Sequence, residues 1–164
     1  MNTSIRLIAL LFFGTLSIPL LAQSSDSDAE QAAVLATVNA FFAALARGDR
    51  NALEATTLSN AEFVISAVDG NGEISLNSRS RDEFVSSIAN NSAALLERYW
   101  DATVLIREGI AVFWAPYDFH VDGNFSHCGI DSFQLFKEDG RWKIGNSSYT
   151  IERLDCEESP LGAL

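Results

Sequence analysis

Two Asp-Gly dipeptides, Asp122-Gly123 and Asp139-Gly140, separate three long aromatic-rich runs and leave the second half of this chain little conformational freedom. An Asp-Gly pair between alternating apolar residues is a strong signal for a two-residue hairpin, because both central positions of the favoured turn need positive φ. Residues 111–121, 125–136 and 141–151 therefore read as a three-stranded antiparallel meander. Both histidines, His120 and His127, and one of the two cysteines, Cys128, lie inside it.

The first half reads differently. Val34, Leu35, Val38, Phe41, Phe42 and Leu45 recur at helical spacing, and Gly48 stops the pattern. With Ser27 and Glu30 matching a capping box, this predicts a helix over 28–47. Asp49 is placed to cap a short second helix over 51–56. Residues 61–68 and 73–76 read as strands joined through Gly70-Asn71-Gly72. A second capping box, Ser80 with Glu83, opens a short helix whose buried face is Phe84, Val85 and Ile88, ended by Asn90-Asn91-Ser92. Residues 95–106 are strand-like with an interruption near Asp101, and Arg107-Glu108-Gly109 turns into the meander. Helices followed by long strands predict an α+β domain over 29–153, with the helices covering one face of a curved antiparallel sheet. Residues 154–164 read as an irregular tail.

Ahead of the domain, Arg6 precedes an apolar run over 7–21, and Ala22 supplies a small residue before Gln23-Ser24-Ser25. That layout predicts an export signal over 1–22 and a flexible lead-in over 23–28. The run is short for a membrane span and contains Pro19, so no stable membrane association is expected once the signal is removed. A formal charge of −11 repels phosphate backbones, which argues against nucleic acid as a partner. Export to a periplasmic or secreted location permits a disulfide between Cys128 and Cys156, but nothing resembles a zinc pattern.

Register sharpens the reading of the meander. If Asp139-Gly140 is a two-residue turn, Glu138 faces Arg141, Leu135 faces Ile144, Phe133 faces Asn146 and Asp131 faces Ser148. One face then carries His127, Asp131, Phe133 and Leu135 beside Trp142, Ile144, Asn146 and Ser148. It is apolar near the turn and polar further along, as in a cone packed at its tip and hollow at its mouth. At Asp122-Gly123 a two-residue loop puts His127 across from Asp118. A three-residue loop groups it with Phe119, Tyr117 and Phe113, and is preferred because it gathers more apolar surface. Pro116 cannot donate to a ladder and marks an edge or a bulge; a bulge there would turn Trp114 inward. In the same register Cys128 faces Ile151, which leaves Cys156 about 16 Å further along at strand rise unless the tail folds back.

The pieces Trp114-Ala115-Pro116-Tyr117-Asp118-Phe119, Ser126-His127-Cys128-Gly129 and Gly140-Arg141-Trp142-Lys143-Ile144, with Ala46-Arg47-Gly48-Asp49 earlier, resemble the nuclear transport factor 2-like superfamily. The likeness is to its exported bacterial branch, often labelled putative lumazine-binding or SnoaL-like. The resemblance implies a cone-shaped α+β barrel, a pocket between the long helix and the sheet, and often a homodimer through the sheet's outer face. It implies no single activity, since members include isomerases, cyclases, dehydratases and proteins that only bind.

Three functional readings follow. The first is an exported protein that binds a small, partly apolar molecule in a pocket walled by Trp114, Tyr117, Phe119, His127, Asp131, Asn146 and Ser148. The second is an acid/base enzyme needing no metal or cofactor, with His127 or Asp131 as general base and Tyr117 as proton donor. Against it, His127 and Asp131 lie about 13 Å apart along one strand, and buried polar groups are usually just hydrogen-bonded, here Asp131 to Ser148 or a backbone N–H. The third is a dimerisation module using Ile130, Tyr149 and Ile151 on the outer face. Gly129 should leave space above the sheet, Cys128 should face away from His127, and His120 should point outward with Asp118 and Asp122.

Overall fold

The computed structural model describes residues 22–154 and 156–164; apart from Ala22, the expected export signal lies outside the described residues. The elements are helix α1 (Ala22–Arg47), helix α2 (Arg50–Thr56), strands β1 (Thr57–Val68) and β2 (Ile74–Ser80), and helix α3 (Arg81–Ala89). Strands β3 (Leu95–Tyr99), β4 (Thr103–Arg107), β5 (Ile110–Val121), β6 (Asn124–Glu138) and β7 (Arg141–Ile151) follow. Residues 23–28, expected as a flexible lead-in, belong to the continuous helix α1.

Local chemistry accounts for the helix boundaries. Gly48, at φ 60°, takes the left-handed conformation that ends α1. The Asp49 side chain accepts a hydrogen bond from the Ala52 N–H at 3.1 Å and starts α2. Ser80 and Glu83 form the expected capping box of α3. Val34, Val38, Phe41 and Leu45 form the buried stripe of α1. They meet Phe63, Phe84 and Phe133; the Phe63 and Phe84 rings stack at 4.0 Å, and Phe41 lies edge-on to Phe133 at 5.7 Å. Each such fully buried side chain contributes about 1.5–3 kcal/mol through the water it no longer orders. Glu30 ties α1 to the tip of β7, accepting from Trp142 Nε1 at 2.9 Å and from Lys137 Nζ at 2.6 Å.

The strands form one open sheet in the order β2-β1-β7-β6-β5-β3, and β4 takes the stretch of β5's edge next to β3. Every pair is antiparallel except β1–β7, which is parallel. The expectation of an antiparallel sheet holds for every pair but this one. β1 and β7 are separated by most of the chain, so no hairpin dictates their sense.

Both Asp-Gly turns have positive φ at both residues, 51° and 77° at Asp122-Gly123 and 49° and 76° at Asp139-Gly140. Each hairpin then departs from simple register through a bulge. In β6–β7, Leu135 pairs with Ile144 as expected, but Gln134 pairs with Asn146, so Gly145 is an extra residue. Beyond it Phe133 faces Ser147 and Asp131 faces Tyr149, which overturns the expected partners Asn146 and Ser148. In β5–β6 the turn closes with two residues, Val121 pairing with Asn124. A shift at Ser126 then brings Phe119 opposite His127. The apolar grouping preferred from the sequence is therefore present, reached by a bulge instead of a longer loop.

Pro116 pairs regularly with Ile130, with no register shift in β5 at that point. Its other edge faces the break between β3 and β4, where Asp101 takes a φ of 45° and the Trp100 N–H donates to the Pro116 carbonyl. The missing donor falls where the ladder is already interrupted.

After β7 the chain folds back. Cys128 and Glu152 form an isolated bridge, and Cys128 is bonded to Cys156 with a Cα–Cα distance of 5.9 Å. The Arg98 guanidinium grips Asp118 at 2.9 and 2.6 Å and also donates to the Gly162 carbonyl at 3.0 Å. Asp118 and His120 do lie on the outer face, but they are buried because the tail covers them.

Candidate functional site

The tip of the cone is filled: Leu135 and Ile144 are fully buried and Trp142 nearly so. Toward the other end the helices and the sheet diverge around a cavity of about 110 Å³. Helix α1 lines it with Phe41 and Leu45, α3 with Phe84 and Ile88, and β1 with Phe63. The sheet contributes Tyr117 and Phe119 from β5, Phe133 from β6 and Ile151 from β7. The polar members are Glu97, His127, Asp131, Ser147 and Tyr149. The volume lies below the roughly 300 Å³ at which drug-sized pockets begin, so the space suits a compact molecule.

Asp131 is 1% exposed, and its Oδ2 has no hydrogen-bond partner among the described residues. The group nearest in chemistry is another carboxyl, Glu97, which reaches the cavity from β3. Burial raises the proton affinity of both, and for Glu97 the negative charge of Asp131 adds to the effect. The two carboxyls lie close enough to influence each other, and burial pushes both toward the protonated form.

The remaining polar groups are less reactive. His127 is driven down to about 4, by burial first and then by the charge of Arg153, so its ring is neutral at pH 7. That ring stacks on Phe119 at 4.9 Å, and its Nδ1 lies 3.1 Å from Ser126 Oγ. The Tyr117 hydroxyl donates to the Thr150 carbonyl at 2.6 Å, and burial together with Glu97 and Asp131 holds its proton more tightly than usual. Burial and Glu97 likewise raise Tyr149, to about 12, against the opposing charge of Arg79.

The structure brings Tyr117, Phe119, His127 and Asp131 to one wall. It sets Trp114, Asn146 and Ser148 apart from them. Trp114 is 50% exposed because β5 carries no bulge at Pro116 to turn it inward. Asn146 and Ser148 hydrogen-bond to each other at 3.1 Å away from the cavity, since the extra residue Gly145 flips the alternation of β7. The same flip carries Tyr149 and Ile151 inward, so they leave the outer face expected for them. Gly129 does not open space for a ligand. A Cβ there would strike the Thr150 carbonyl carbon at 2.9 Å and the Thr150 hydroxyl at 2.7 Å.

Glu97 was absent from the sequence-based candidates, although a signal for it exists. Leu95, Glu97 and Tyr99 share one face of β3, so the carboxylate interrupts an apolar stripe. Ser147 and Tyr149 became visible only with the Gly145 bulge. Among the described residues no group of three or more His, Cys, Asp or Glu side chains is arranged to hold a metal ion.

Solved structures with this fold are numerous, and their identity to this chain is low. An NTF2-like protein with a cystatin-like fold from Novosphingobium aromaticivorans aligns with a TM-score of 0.64 at 13% identity, over 88% of this chain and 94% of its own. An NTF-2 like protein of unknown function from Silicibacter pomeroyi gives 0.57 at 24%, over 77% and 98%. A protein described as a putative dehydratase from the NTF2-like family of Streptomyces avermitilis gives 0.57 at 18%, over 79% and 99%. At such identities the likeness speaks to fold alone. No curated protein matches the sequence. The family model described as "Putative lumazine-binding" matches residues 29–150, from within α1 to within β7, and the chain belongs to that family within the nuclear transport factor 2-like fold.

Proposed function

We propose that this protein binds a small, partly apolar molecule in the cone cavity, with the Glu97–Asp131 pair as its polar anchor. The observation that carries the reading is the unpartnered Oδ2 of Asp131, buried at the polar end of an otherwise aromatic space. A buried acceptor without a partner costs about 1–3 kcal/mol, and a ligand donor placed there recovers that cost. Native mass spectrometry of protein purified from its own host tests this directly. A co-purifying molecule is expected, and it should be lost when Ile88, at the helix side of the cavity, is replaced by Phe. Retention of the molecule in Ile88→Phe would place it elsewhere and sink the reading.

A second reading, proton-transfer catalysis, is favoured by one observation: the carboxyl pair has a proton affinity shifted toward neutrality by its surroundings. In that case Asp131, not His127, is the base, because a ring titrating at about 4 is a weak one. Tyr117 is a poor donor to substrate while its proton is committed to Thr150. Asp131→Asn should then abolish turnover of a substrate while His127→Gln retains most of it. Export is a further part of the proposal, supported by the Cys128–Cys156 bond and the apolar N-terminal run. Intact-mass measurement of the protein from its host should give a chain beginning at Gln23, and a full-length mass would count against it.

A further inference from the structure

The chemistry of the cavity selects a charge sign for its occupant. Among the described residues its lining holds two carboxyls and no lysine or arginine, so no lining side chain there would neutralise an anion. Aromatic rings make up much of the rest, with Phe41, Phe63, Phe119 and Phe133 lining the same space as the pair. Aromatic rings present negative faces, which attract cations and repel carboxylates. The formal charge of −11 over the whole chain adds a field of the same sign.

We propose that the cavity takes a small organic cation, an ammonium on a compact apolar body, with its N–H donors on Glu97 and Asp131 and its carbon skeleton against the phenylalanines. The inference rests on the reading of the cavity as a binding site and goes beyond it in naming the ligand class. An ammonium has three donors and no acceptor, which matches the unpartnered Asp131 Oδ2. A carboxylate ligand would leave that oxygen unsatisfied and add a third negative charge.

Binding is then an exchange. Burial favours the protonated form of both carboxyls in the empty cavity; where the pair carries one proton, the ammonium displaces it to solvent as both carboxylates become charged. Affinity should therefore rise with pH until the amine itself deprotonates. The other ionisable groups facing the pair do not reverse this. His127 is already neutral, Tyr117 and Tyr149 keep their protons, and α1 and α3 present only apolar side chains. The charged residues Arg79, Asp118, Glu152 and Arg153 lie near enough to influence these groups.

Three probes of one shape separate the alternatives: isopentylamine, isopentanol and isovalerate, titrated into the full chain by calorimetry and by NMR of the cavity residues. At about pH 8 the amine should bind at least about tenfold more tightly than the alcohol, and isovalerate should not bind. At about pH 6 the amine should weaken several-fold, and heats measured in buffers of different ionisation enthalpy should give close to one proton released by the carboxyl pair. Asp131→Asn, and independently Glu97→Gln, should erase the preference for amine over alcohol. Equal or tighter binding of the alcohol, or affinity that rises as pH falls, would overturn the cation inference and leave the binding site standing. If none of the three perturbs the cavity residues, the binding-site reading falls with it.

Discussion

Gly145 lies against the ring of Phe136: a Cβ at position 145 would come within 2.6 Å of Cδ2 and 2.7 Å of Cε2. Leu58 Cδ1 closes the other side at 3.1 Å. The bulge that sets the inner face of β7 is thus available only to a residue without a side chain. Gly145→Ala should destabilise the fold by about 1–3 kcal/mol, the usual cost of overpacking. Urea unfolding measures it, and Phe136→Ala in the same chain should recover much of the loss. Additive losses in the double variant would show that ring and bulge are independent.

That relationship also explains what the sequence could and could not reveal about the site. The Asp-Gly turns are local, and residues 135 to 144 take the register that Asp139-Gly140 implies because nothing intervenes there. The two bulges depend on contacts made across the sheet. Ser126 shifts to let Phe119 meet His127, and Gly145 shifts to let Phe136 and Leu58 pack. A one-residue slip reverses every side chain beyond it, so Asn146 and Ser148 exchanged places with Ser147 and Tyr149. The helices were legible because their caps and stripes are encoded within a few residues, as at Ser80–Glu83. The position of Glu97 depended on β3 pairing with β5, which no local pattern specifies.

The tail is held by a covalent link that register alone seemed to place out of reach. Cys128 and Cys156 are 28 residues apart, and closing a loop of that length constrains the unfolded chain by about 3–4 kcal/mol in the chain-entropy account. Replacing both cysteines with serine should lower stability by about 2–4 kcal/mol. It should also increase amide exchange at His120 and Asp118, which the tail covers. Denatured, unreduced protein should show no titratable thiol, and finding two would contradict the assignment.

His127 should behave unlike an exposed histidine. Burial among Phe119 and Tyr117, with Arg153 nearby, makes its charged form costly and moves its titration to about 4. A folded-state value below the unfolded one means the folded protein resists the proton. Stability on this account is lost as pH falls below the ordinary value of 6.5 toward about 4. Ring-proton NMR should show the His127 signals unchanged from neutral pH down to about pH 5, and a midpoint near the ordinary value would refute the account.

The Glu97–Asp131 pair predicts the opposite slope. Both carboxyls take up a proton more readily in the folded protein than in the unfolded chain. Their contribution is fully favourable below the ordinary carboxylate range and is lost as pH rises through the raised values, when the second negative charge must be buried. Glu97→Gln and Asp131→Asn each remove one of the two charges while keeping the side chain's shape. Each variant should therefore gain stability relative to the parent as pH rises, by on the order of 1–3 kcal/mol between about pH 5 and about pH 8. All other titrations cancel in that difference, so paired urea unfolding curves at the two pH values isolate the pair. A stability difference that stays constant with pH, or narrows as pH rises, would mean that burial does not raise the proton affinity of the two carboxyls.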